Sequence, residues 1–234
     1  MGITTTGGLT FGNGISITSP VLTLSQVGSA SSLINTVTIP VGARAANDIA
    51  VILASYRASS GTPADYTPTD WTKIGTVLQP SGSALIRVNA YYKILNGAES
   101  TSVTTSPASS LNWTGSQIWV WRPSSAISTV TVNNLTQLGS ADAISHTITT
   151  NGVAGPLLAI GQAAAQTGTT APWLSWTGIA ATQTFFREAS GGGSDPTAGA
   201  YTLVNGGSTA GSNITASITD LGLQELQTFY LTFS

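Results

Sequence analysis

Residues 48–56 read Asp-Ile-Ala-Val-Ile-Leu-Ala-Ser-Tyr, an apolar run that no turn residue interrupts. A run of about seven apolar or small residues between turn signals is too short for most helices. It suits a strand covered on both faces. A polar loop over residues 57–70 follows and delivers a single Trp71. Residues 85–95, Leu-Ile-Arg-Val-Asn-Ala-Tyr-Tyr-Lys-Ile-Leu, then return with partial two-residue alternation and stop at Asn96-Gly97. Two strands with an aromatic plug between them predict the nucleus of a β-sandwich.

The rest of the chain supplies more strands of the same kind. Short apolar or Thr-rich segments lie at 21–24, 36–39, 100–105, 116–121, 129–132, 144–150 and 156–160, and again at 182–186, 200–204, 213–218 and 226–233. Gly, Asn and Pro cut them at fairly regular spacing, which predicts an all-β, jelly-roll-like antiparallel β-sandwich over residues 21–234. In 116–121, Ile118 and Val120 fall on one face and Trp119 and Trp121 on the other. The best helical turn is Gln162-Ala-Ala-Ala-Gln166, bracketed by Gly161 and Gly168. With 234 residues, the chain is long enough for one large all-β domain.

Residues 1–20 form a Gly-rich N-terminal arm, in which glycines separate Leu9 and Phe11 from Ile15 and Ile17. Such a segment buries too little apolar surface to order itself, and it can gain order by adding a strand to a neighbouring subunit. A terminal strand on its own sheet or a loose tail fits the residues equally well.

The two halves also echo each other. Residues 48–54 match 155–161, Trp71 falls opposite Trp176, residues 90–92 opposite 200–202, and 118–121 opposite 228–231. Two duplicated halves, about 21–123 and 124–234, would leave this pattern, and so would the general sameness of sandwich sequences.

Only 7% of residues are charged and the net charge is −2. An ordinary soluble domain carries roughly 25%. The surface is therefore Ser, Thr, Asn, Gln and Gly, with little self-repulsion to keep copies apart. Surfaces of this kind fit a protein packed against other subunits. The seven Lys and Arg form no cluster, so a nucleic-acid partner is not expected. With no Cys, disulfides and thiolate metal sites are excluded. Residues 1–6 lack the basic start and apolar core of a signal peptide, and no apolar run approaches the ~20 residues that span a bilayer.

No catalytic constellation emerges, and the expectation is a non-enzymatic chain with no cofactor or metal. His146 is the single histidine, set in a strand-like run without a Gly-x-Ser-x-Gly elbow elsewhere. The acids closest in sequence, Asp65 with Asp70, Glu188 with Asp195 and Asp220 with Glu225, lie in turn-like stretches. Asp65 and Asp70 lack the dense Asp/Asn/Gly pattern of a calcium loop. Trp113, Trp173 and Trp176 sit among Pro, Gly, Ser and Thr in loop-like stretches. They are candidates for stacking on host surface glycans, or for burial as loop anchors.

The order of features in the central stretch resembles a class of tailed-bacteriophage virion proteins. The pieces are residues 47–54, then Pro68-Thr-Asp-Trp-Thr-Lys73, then Ala90-Tyr-Tyr-Lys-Ile-Leu95 with Gly97 and Glu99 behind. Trp119-Val-Trp-Arg122 resembles a later strand of such proteins, and residues 8–17 resemble glycine-punctuated repeats of tail-associated ones. The resemblance covers residues 1–122. It implies a non-catalytic, oligomeric β-sandwich in the virion, on the tail, its fibre, or the capsid surface, with other virion subunits as partners. It carries over no catalytic residue.

Overall fold

The computed structural model describes residues 9–10, 16–17, 22–32, 34–78, 85–107, 111–150, 155–165, 173–177, 183–187, 197–205 and 212–234. The strands of the first half are β1 (Leu9–Thr10), β2 (Ser16–Ile17), β3 (Leu24–Ser32), β4 (Thr36–Thr38), β5 (Ile49–Ala58), β6 (Thr72–Leu78), β7 (Ile86–Ile94), β8 (Ser102–Thr104) and β9 (Leu111–Pro123). Those of the second half are β10 (Val130–Thr150), β11 (Leu157–Ala165), β12 (Trp173–Thr177), β13 (Gln183–Arg187), β14 (Thr197–Val204) and β15 (Ser212–Phe233). All pairings are antiparallel, and no helix occurs among the described residues.

Each half of the chain builds one sheet. The first has the order β3-β9-β5-β7-β6 and the second β10-β15-β11-β14-β13, with β12 added alongside β15. They pack face to face. Ile49, Val51, Leu53, Trp119 and Trp121 of the first sheet meet Leu158, Ile160, Tyr201, Phe229 and Leu231 of the second in one buried core. The Tyr201 ring meets Trp119 and Trp121 edge-on, with centroids 5.3 and 5.1 Å away, and its hydroxyl donates to Gln26 Oε1. Such pairs add about 0.5–1.5 kcal/mol each beyond the area they bury. Gly199 lets the sheets approach, since a Cβ there would stand 2.4 Å from Leu53 Cδ1.

The first sheet is also covered on its other face, where the β4–β8 pair and the loop before β6 close over Ala50, Ile52, Tyr91, Ile118 and Val120. Trp71 is buried in this second cluster, as its position between two strands predicts. β5 is therefore buried along nearly its whole length, which is why its sequence is continuously apolar rather than alternating.

Three local expectations are corrected. Residues 162–165 are strand, not a helical turn: Gln162 is paired with Gly199 on one side and Gln227 on the other. The helix preference of alanine, below about 1 kcal/mol per residue, yields to ladders on both edges. Residues 129–132 and 144–150 join in one strand, as do 213–218 and 226–233, because irregularities between Asn133 and Ala143 absorb the breaks in pattern. β6 was not anticipated, since Gly75 interrupts its apolar pattern. A Cβ there would come 2.6 Å from Gln227 Nε2, so any larger residue would make that side chain shift.

If the five main strands of each half are counted in chain order, both sheets run 1-5-2-4-3. The registers agree as well: Val51 sits between Trp119 and Tyr92, and Ile160 between Phe229 and Tyr201. The ladders match Tyr92 with Tyr201 and Ile49 with Leu158, one to two residues from the sequence echo. Trp176, set opposite Trp71 in that echo, belongs to β12 instead.

Candidate functional site

The outer face of the first sheet ends in a polar cleft; two devices hold its walls, and another braces the sheet beside a smaller cleft. That brace is at the start of β5. Asp48, 1% exposed, accepts from Arg122 Nε at 2.9 Å and from a second guanidinium nitrogen at 2.7 Å. Its carboxylate also accepts from Ala45 N–H, while Arg122 donates to Gly42 O. This bidentate pair ties the entry of β5 to the exit of β9 and holds the Arg122 guanidinium more firmly protonated than usual, through the Asp48 hydrogen bond and charge.

Of the two wall devices, one pins the loop before β6. Asn89 Nδ2 lies 2.9 Å from Tyr56 Oη, 2.7 Å from Tyr91 Oη and 3.2 Å from both Tyr66 O and Asp65 Oδ1. Tyr91 donates to Tyr66 O, Tyr56 to Ala64 O, and Arg87 Nε to Pro63 O. Lys73 Nζ sits 2.5 Å from Asp65. Burial pushes the phenols of Tyr56 and Tyr91 well up from their ordinary value. Burial also pushes the Asp65 carboxyl up, but Lys73, then Asn89 and Arg87, outweigh it and hold the group below the usual carboxylate range. Asp65 is thus committed to Lys73, leaving Asp70 alone of that pair on the cleft.

The other wall device is the turn after β7. Glu99 accepts from Asn96 N–H at 2.5 Å and from Gly97 N–H at 3.0 Å, and Asn96 Oδ1 accepts from Ala98 N–H. Gly97 has φ 88°, a left-handed conformation that suits glycine. Lys93 Nζ stands 3.9 Å from Glu99.

Between this turn and the pinned loop lies a cleft of about 390 Å³, with Tyr66, Asp70 and Trp71 on one wall and Lys93, Asn96 and Glu99 on the other. A smaller cleft of about 220 Å³ adjoins Asn47, Asp48 and Arg122. Among the described residues, no group of three His, Cys, Asp or Glu gathers as a metal site requires.

The residues singled out as glycan candidates are elsewhere. Trp113 lies on β9 opposite Arg57, and Trp173 and Trp176 lie on β12 opposite Thr219 and Ala216. All three are on strands rather than loops, because Thr and Trp are strand formers even among turn-favouring neighbours. Trp173 and Trp176 thus share one short strand of the second sheet, and Trp113 belongs to the other sheet. Their side chains lie outside the described residues. His146 occupies a ladder position opposite Ala216, and Asp220 and Glu225 fall within β15 rather than a turn. Glu188 and Asp195 lie outside the described residues.

In the N-terminal arm, Leu9 pairs with Ile17 and Thr10 with Ser16; Phe11 and Ile15 lie outside the described residues. The cleft residues were missed as a site, although Asp70 and Trp71 lie within 68–73, Lys93 within 90–95, and Asn96 and Glu99 just behind it. The signal was their order in the chain; the convergence required the loop to fold back over β7. Comparison with protein-family models, with curated proteins and with solved structures found no match.

Proposed function

We propose that this chain is a non-enzymatic structural subunit of a tailed-phage virion, on the tail, its fibre or the capsid surface, that assembles by strand addition between subunits. The observation that carries this reading is β10. It is 21 residues long, lies at the edge of its sheet among the described residues, and holds one charged residue, Asp142. Soluble proteins blunt long edge strands with Lys, Pro or shortness, since open N–H and C=O groups template pairing with another chain. Here the register of 143–150 against 212–219 is unbroken and uncharged. An edge of this kind suits a chain whose partner is another subunit. Residues 9–17 supply a donor: β1 and β2 pair with each other and, among the described residues, with neither large sheet. The sparse surface charge and the resemblance of residues 1–122 to virion proteins point the same way.

The test is oligomeric state by light scattering, together with incorporation into assembled particles. The full chain should self-associate. Deleting residues 1–18, or placing Lys at Ser145 and Thr147, should yield a monomer with a nearly unchanged thermal midpoint. A full chain that stays monomeric and enters no particle sinks the proposal, as does equal incorporation of both variants.

A further inference from the structure

We propose that the cleft between Asp70 and Asn96 binds a neutral carbohydrate of one or two sugar units. This goes beyond the assembly role and does not rest on it. At about 390 Å³ the cleft lies at the small end of ligand-sized pockets, roughly 300–1,000 Å³. Its lining decides the ligand class. The carboxylates of Asp70 and Glu99 oppose an anion. Lys93 stands beside Glu99, whose two oxygens each accept a backbone N–H, and among the described residues no third His, Cys, Asp or Glu joins Asp70 and Glu99 to hold a metal cation. A wholly apolar ligand would strand these polar groups without partners.

What remains is a ligand dense in hydroxyls, with some C–H surface to lay against Tyr66 and the part of Trp71 that lines the cleft. The Asp70 carboxylate has no partner among the described residues and is free to accept from two vicinal hydroxyls. Asn96 keeps its Oδ1 on Ala98 N–H and has its amide N–H groups to donate, as has the Lys93 ammonium. The walls are set before any ligand arrives. Asp70 holds a left-handed φ of 63°, Glu99 locks the turn, and Tyr66 is fixed through its carbonyl by Tyr91 and Asn89. Pre-set donors and acceptors reduce the ordering cost that weak sugar ligands otherwise face.

The test is saturation-transfer NMR on the full chain with glucose, galactose, mannose, rhamnose and N-acetylglucosamine, with inorganic phosphate and calcium as controls. Asp70→Asn keeps the left-handed turn, which Asn tolerates, and Asn96→Asp keeps the acceptor for Ala98 N–H, so both variants should fold. At least one sugar should receive saturation, and each variant should weaken it roughly tenfold or more with an unchanged thermal midpoint. Trp173→Ala should leave binding intact. Silence from all five sugars overturns the proposal, as does binding that survives both cleft variants, is lost with Trp173→Ala, or is replaced by phosphate or calcium alone.

Discussion

Asn89 holds the outer layer to the first sheet through one amide. Its nitrogen has two hydrogens and four oxygens within 3.2 Å, so the donors are shared between Tyr56, Tyr91, the loop carbonyl of Tyr66 and Asp65. Asn89→Ala should cost about 1–3 kcal/mol, because buried hydroxyls and a carbonyl lose a donor that water does not replace. Urea unfolding measures this. The same cluster sets the alkaline limit. Burial raises the phenols of Tyr56, Tyr91 and Tyr201 in the folded chain, while unfolded tyrosine titrates near 10. Above that pH the unfolded chain releases protons that the folded one retains, so what these phenols contribute to stability is fully present below about 10 and is lost as pH rises beyond it. Absorbance at 295 nm should show these three of the six tyrosines ionising only with unfolding. Early ionisation of all six would contradict the burial. In the sequence Asn89 is one polar residue of a partly alternating strand; only the loop folded above it gives that amide its partners.

At the scale of elements, the first sheet is covered on both of its faces. The covering layer is thin, a pair of three-residue strands and one loop, and Trp71 is its largest apolar anchor. Trp71→Ala should destabilise the chain by about 3–5 kcal/mol, and Trp71→Phe by clearly less, because the cavity left behind scales with the volume removed. Thermal and urea midpoints check both; a loss below 1 kcal/mol for the alanine variant would show that the loop does not seal this face. Trp71 was legible as a plug from its position between two strands. The continuation of β11 past Ile160, residues 162–165, was not, since an alanine run carries no two-residue alternation and only the flanking ladders decide its state; the start of that strand was legible at 156–160.

For the whole molecule, each half supplies one sheet, and neither can bury its inner face alone. Val51, Trp119 and Trp121 need Ile160, Tyr201 and Phe229 opposite them. Expressed singly, residues 1–123 and 124–234 should be insoluble or unfolded by circular dichroism. Co-expressed, they should recover a soluble pair. A cooperative transition from either half alone would show that the sheets are separate folding units. The shared 1-5-2-4-3 order and matching registers are the arrangement a duplicated half would leave, and the core they build is why the halves remain bound to one fold.

The sequence by itself determined the all-β class, the doubly covered β5, the Trp71 plug and the sparsely charged exterior. Each follows from local pattern: side-chain period, turn residues and composition. Tertiary structure alone decided how far the long strands run, which half pairs with which, and that Asp70 and Asn96 face each other across one cleft. Those depend on contacts between residues far apart in the chain, where the free energy comes from surfaces meeting rather than from the residues of any one segment.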